Sequence, residues 1–196
     1  MRTLPLTVLA YPGPQAKFYL ACMRAAGLRP KRVLLLTPSL HPTSKKPMGS
    51  LLPDSIKKRY LIYSQNVLHE YWPLQIRKHY PGLVASITAR MDALGCPGVI
   101  DAVYSGFDYS DFSDQVETFL IKDYCDDTLP ARLDACSETL LIYTGGGILP
   151  GKLVGSLRKR ILHVHPGRLP FVRGADGLLW SLLVRRRPGM SCFFME

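Results

Sequence analysis

The chain has 196 residues, 47% of them hydrophobic, and 25 Lys and Arg against 15 Asp and Glu give it a formal charge of +10. That length supports one domain with a sizeable core, and the surplus of basic charge favours anionic partners such as phosphorylated metabolites, a polyanionic cofactor, a nucleotide sugar or nucleic acid. Five scattered cysteines, none in a Cys-x-x-Cys pair, argue against a disulfide framework or zinc ribbon, and no stretch approaches the roughly 18 apolar residues a membrane helix needs.

In chain order, the apolar run at 6–10 reads as a first strand. It is too short for a signal sequence and meets Pro12-Gly13-Pro14 at once, so a cytoplasmic protein is expected. A helix follows from about Pro14, with Phe18, Tyr19, Cys22, Met23 and Ala26 on one apolar face and Gly27 as its stop. Residues 33–36 show no polar alternation, as in a strand covered on both sides. From 38 to 113 the pattern changes. The Pro- and Lys-rich segment 37–53 reads as a long loop, 54–80 as two helical pieces divided at Pro73, and 82–94 as another helix ended by Gly95-Cys96-Pro97-Gly98. This block reads as a structural insertion, the alternative being a cover for an active site or partner.

Alternation resumes with a strand at 118–121, a helix at 129–136 and a strand at 139–143. A triple-glycine turn, a short helix near 152–157 and a strand at 161–164 come next. Residues 175–184 read as a helix with Leu178, Leu179, Leu182 and Leu183 as its buried stripe, and 190–195 as a closing strand. Strands alternating with helices predict one α/β domain over 1–196, with a doubly wound, mostly parallel sheet and a loop and helical insertion at 38–113. The basic clusters at 45–46, 57–59, 158–160 and 185–187 read as solvated faces. None interleaves aromatic residues with basic ones, which argues against nucleic acid.

Side chains alternate along an extended segment, so His163 and His165 project on the same side at the carboxyl end of their strand. Open α/β sheets build their sites at that edge. Pro166, Gly167 and Pro170 make the following turn rigid, and rigid turns position catalytic groups. The plainer alternative is a pair of satisfied polar groups at a strand end. A His-x-His metal pair would need further ligands, and no carboxylate or histidine cluster supplies them, so no metal is expected. The segment 146–153 approaches a phosphate loop, but Leu153 lacks the hydroxyl that holds Mg²⁺ and Pro150 removes a backbone N–H. No G-x-G-x-x-G follows the first strand either, which leaves a dinucleotide fold without support.

Two segments together resemble the formyltransferase family, whose members move a formyl group from 10-formyltetrahydrofolate to an amine. One is Tyr143-Thr-Gly-Gly-Gly-Ile148-Leu149-Pro150, against a strand leading into Gly-x-x-Ile-Leu. The other is His163-Val-His165-Pro166-Gly167-Arg-Leu169-Pro170-Phe-Val-Arg173-Gly174, against Asn-x-His-Pro-[Ser/Gly]-x-Leu-Pro-x-x-[Arg/Lys]-Gly. The match covers 139–196 well and the earlier strand–helix units loosely, and the 38–113 block has no counterpart in it.

The resemblance implies the formyltransferase, Rossmann-like fold and 10-formyltetrahydrofolate as formyl donor. It places Gly146, Gly147, Ile148 and Leu149 along the folate pocket and makes His165 the catalytic histidine, handling a proton or stabilising the oxyanion as the amine attacks. His163 occupies the position of the family's asparagine, a fixed donor to the oxyanion. The family's catalytic aspartate follows the closing strand by a few residues. No Asp in 1–196 sits in a matching context, Asp176 belonging to a helix start. That departure implies a truncated chain or a partly lost site, with weak or absent activity. The particular acceptor is not legible: nucleotide sugar, amino acid, ribonucleotide and aminoacyl-tRNA all stay open, a small anionic amine substrate being expected from the basic charge and tRNA being disfavoured because that branch of the family normally carries a further domain. Two competing readings stand beside this one: a degenerate member serving as a binding or interaction module, and a hydrolase releasing formate on the same scaffold.

Overall fold

The computed structural model describes residues 1–41, 44–104, 108–145, 149–174 and 177–195. Its strands are β1 (Arg2–Ala10), β2 (Leu28–Pro38), β3 (Gln115–Ile121), β4 (Leu140–Tyr143), β5 (Arg160–His165) and β6 (Ser191–Met195). They form one six-stranded sheet in the order β3-β2-β1-β4-β5-β6. The first five strands run parallel, and β6 pairs antiparallel with β5. The doubly wound, mostly parallel sheet expected from the alternation is what forms.

Each sheet face carries its own apolar cluster. Leu9, Leu34, Leu36, Phe119, Leu141 and Ile161 pack with Leu129 and Leu133 of α5 (Leu129–Asp134) and Leu153 of α6 (Gly151–Ser156). On the other face Leu6, Val8, Ala10 and Val33 meet Ala16, Leu20 and Ala21 of α1 (Pro14–Ala25) and Val99 and Ala102 of α4 (Val99–Tyr104). Side chains that alternate along each strand therefore supply both cores, which is why these strands read as continuous apolar runs.

Between β2 and β3 lie α2 (Asp54–His79), α3 (Pro81–Ala93) and α4. Helix α2 is continuous through Pro73, where a break was expected. The missing N–H and the ring clash cost about 3 kcal/mol at most such sites, and here the helix absorbs that cost with Pro73 itself buried. The face α1 buries also differs from the expected one. Ala16, Lys17, Leu20 and Ala21 are covered, whereas Phe18 is 39% exposed. Lys17 can lie inside because Glu70 of α2 pairs with it.

In α7 (Gly177–Arg185) the expected buried stripe is overturned. Leu178, Leu179, Leu182 and Leu183 are exposed, and Gly177 and Ser181 are the covered residues. No described element packs over the leucines, so their apolar spacing alone could not reveal which side the helix turns inward.

The amino edge of the sheet is clasped by one carboxylate. Glu138, almost fully buried, accepts from Thr7 Oγ1 at 3.0 Å, from Ser137 Oγ at 2.7 Å and from Arg32 Nε at 3.2 Å, and pairs with Lys31 at 3.0 Å. Burial by itself would raise its pKa, but the hydrogen bonds from Ser137, Lys31 and Thr7 overcome that and hold it at about 2. Thr7 belongs to β1 and Lys31 and Arg32 to β2, while Glu138 introduces β4, so one side chain ties three strands together. The carboxyl edge is left for the site.

Candidate active site

From β1 the chain winds outward through β2 and β3, then crosses to β4 on β1's other side. That reversal opens a crevice at the carboxyl ends of β1 and β4, where such sheets bind ligands. His163 lies one strand away on β5, paired in register with Tyr143 of β4. His163 and His165 lie on one side of β5 with ring centroids 6.4 Å apart, both partly covered. The expected same-side projection is what the strand produces.

Each ring is held by a main-chain carbonyl. His163 donates from Nδ1 to the Tyr143 carbonyl at 3.2 Å, and His165 donates from Nε2 to the Val172 carbonyl at 3.2 Å. A carbonyl oxygen only accepts, so the two rings carry their protons on different nitrogens. In the neutral state His163 offers its Nε2 lone pair and His165 its Nδ1 lone pair. Burial pushes the pKa of His163 down, the Tyr143 carbonyl opposes that, and His165 lowers it a little further. His163 is therefore predominantly neutral near pH 7 and acts there as a hydrogen-bond acceptor, unlike an asparagine amide N–H. Among the described residues no carboxylate is hydrogen-bonded to either ring.

The turn after β5 fits tightly round His165. A Cβ on Gly167 would lie 2.9 Å from His165 Nε2, and one on Gly177 would lie 2.6 Å from the Pro166 carbonyl oxygen and 3.3 Å from the same ring nitrogen. Ser191, the first residue of β6, pins this turn from below. Its hydroxyl donates to the Gly167 carbonyl at 2.8 Å and accepts from Leu169 N–H at 2.9 Å. On the other sheet face Tyr19 of α1 donates to the Val164 carbonyl at 3.1 Å. These supports were not legible in the sequence, because a lone Ser or Tyr gives no signal until the strands pair.

An aromatic row continues inward from the histidines. Phe193 stands edge-on to His163 at 5.8 Å, Tyr143 lies 5.6 Å from His163, and Tyr124 meets Tyr143 edge-on at 5.9 Å. Burial raises both tyrosine pKa values, so both phenols stay neutral. Tyr124 also walls two clefts at this edge. One of 390 Å³ includes Pro150, Lys152, Leu153 and Asp127, and one of 400 Å³ includes Tyr11, Pro38 and Ile121. Of the residues expected along a cofactor pocket, Leu149 is 5% exposed and belongs to the core beside Tyr143 and Leu153. Gly146, Gly147 and Ile148 lie outside the described residues.

No protein-family model and no curated protein matches the chain. Solved structures similar to it include formyltransferases. A glycinamide ribonucleotide transformylase from Symbiobacterium toebii shares 14% identity at TM-score 0.45, over 100% of this chain and 66% of that one. A phosphoribosylglycinamide formyltransferase from Anaplasma phagocytophilum shares 13% at TM-score 0.48, over 99% and 65%. A sugar N-formyltransferase from a Shewanella species shares 14% at TM-score 0.41, over 100% and 51%. The chain thus spans just under two thirds of the first two proteins and about half of the third. No described helix is long and apolar enough to cross a membrane.

Proposed function

We propose that the protein is an N-formyltransferase, cytoplasmic, moving a formyl group from 10-formyltetrahydrofolate to the amine of a small anionic substrate. The observation that carries this reading is the histidine pair itself, two partly covered imidazoles at the carboxyl edge whose N–H groups are committed to carbonyls and whose remaining nitrogens are lone pairs. The two sequence segments that resemble the family bracket that edge.

The donor supplies an electrophilic formyl carbon. The edge beside the turn fits a flat heterocycle: the 390 Å³ cleft has apolar Tyr124, Pro150 and Leu153 with Asp127 at hand to accept from amino groups. Gly146, Gly147 and Ile148 would meet the ring, and Leu149 would support them from the core. His165 would take the proton of the attacking amine at Nδ1 and return it to the departing nitrogen. Its hydrogen bond to Val172 and the snug glycines keep the ring from turning away. His163 would accept at Nε2 while neutral and would donate to a developing oxyanion only once protonated. A constellation that lacks one of its members transfers on the order of 10³-fold or more slowly than a complete one, and slow transfer is what this reading expects.

Formyl transfer from 10-formyltetrahydrofolate to a panel of phosphorylated and nucleotide-linked amines tests the reading. Slow transfer abolished by His165→Ala, with the melting temperature preserved, supports it. Transfer untouched by that change contradicts it.

A further inference from the structure

Helix α2 is apolar on two opposite sides. Leu61 and Gln65 turn inward and are 0% and 3% exposed. On the outer side Ile56, Tyr60, Tyr63, Val67, Glu70 and Leu74 follow one another in alternating steps of four and three residues, the a/d spacing of a helix–helix seam. The five apolar and aromatic members are 44–69% exposed. A surface helix normally keeps its solvent side polar. Single apolar residues on a surface need no explanation, whereas an unbroken row, here about 27 Å long, marks an interaction site.

The order of the row decides what fits it. Laid antiparallel on a second copy about a two-fold axis, with a positions facing d positions, the row meets itself in complementary layers. Ile56 comes against Leu74, Tyr60 against Glu70 and Tyr63 against Val67, and the same three layers repeat in reverse beyond the axis. Aliphatic chains then close both ends, and a phenol ring covers a valine in each central layer. In the polar layer the Tyr60 hydroxyl faces the carboxylate of Glu70, whose side chain stays 29% exposed while bonding Lys17.

Charges along the rims agree with this register. Arg59, beside Tyr60, comes level with the Glu70 carboxylate of the second copy. Lys57, on the other rim, comes level with the Tyr71 ring, and it already shares a groove with Asp54 and Asp126. Arg77 donates to the Tyr104 carbonyl at 3.4 Å, and with Lys78 it comes level with the helix start at Pro53 and Asp54. On α2 itself no cation meets a cation. A parallel pair would instead set Glu70 on Glu70 inside an apolar seam, where like charges repel most strongly. The +10 charge of each chain opposes association at long range, but physiological salt screens it beyond about 8 Å.

We propose that α2 is a self-association surface, pairing antiparallel with α2 of a second copy to make a two-fold dimer. The formyl-transfer reading plays no part in this, since α2 packs over β2 and the histidines stand on β5.

Sedimentation equilibrium of the whole chain at about 0.15 M ionic strength tests it. A monomer–dimer equilibrium with a dissociation constant of about 10 µM or tighter is expected. Tyr63→Glu and Val67→Lys, both at exposed positions, should each weaken it by about tenfold or more, because each puts a charge into the central layers. Mixing the two variants should restore a dimer. The antiparallel register sets the new carboxylate against the new ammonium in one central layer and leaves Tyr63 on Val67 in the other. A monomer up to about 100 µM, which would leave the row to another protein or a lipid surface, would overturn the proposal. So would a dimer that survives either substitution, or mixed variants that stay monomeric.

Discussion

His163 donates through Nδ1 to the carbonyl of Tyr143, 3.2 Å away on the neighbouring strand. The bond commits the ring to one tautomer and leaves its Nε2 as an acceptor while neutral. Introducing an amide by His163→Asn should supply a donor without needing a proton, and under the proposed function turnover near pH 7 should rise or hold. A fall of tenfold or more in kcat, with unchanged folate affinity, would show instead that the imidazole's lone pair is used.

The depressed pKa of His163 has a sign in the stability curve. The folded state resists protonation more than the unfolded chain, whose histidine titrates near 6.5. Between that pH and the lower folded value the unfolded chain binds more protons, so stability falls as pH drops through this window and is unaffected by His163 above it. His69, also pushed down by burial, acts in the same direction. Denaturant midpoints should decline as pH drops from about 7.5 to about 5, the range in which histidines titrate, and less steeply in His163→Asn.

Glu138 predicts a separate acid limb. Its carboxyl titrates at about 2 in the folded state, so the stability it supplies is complete above the usual carboxylate range and is lost as pH falls toward that value. Glu138→Ala removes the acceptor shared by Thr7, Ser137, Lys31 and Arg32, while Arg32 keeps Glu117 and Lys31 stays 43% exposed, so the loss should be about 1–3 kcal/mol. Urea melts of the two proteins at neutral pH check the size, and an acid titration checks the window.

Ser191 holds the turn that holds His165. Ser191→Ala removes one donor and one acceptor contact and should cost about 1–3 kcal/mol. Because the turn is loosened as well, kcat should fall further than the folded fraction does. Gly177→Ala should act more sharply, since its new methyl would meet the Pro166 carbonyl at 2.6 Å. Melts combined with single-turnover rates separate the two effects.

The sheet and its parallel run were legible in short apolar runs alternating with helical patterns, and the side shared by the two histidines in the period-two geometry of a strand. Other features depend on partners distant in sequence. Lys17 reads as a surface residue until Glu70, on a helix inserted after β2, arrives to neutralise it. Helix α2 passes Pro73 because its flanking turns outweigh one missing bond. The leucines of α7 have helical spacing, but spacing does not say which side faces the core. Ser191 and Tyr19, which brace the site, gain their roles only when β6 pairs with β5 and α1 crosses the sheet.

The most direct test of the proposed active site follows the imidazole nitrogens of His163 and His165 by NMR as a non-transferring analogue of 10-formyltetrahydrofolate is titrated into the folded protein. Saturable shifts are expected at both rings and in the 149–153 segment, with the free protein showing Nδ1–H on His163 and Nε2–H on His165. No saturable binding, or binding that leaves both histidines unshifted, would contradict the proposed active site.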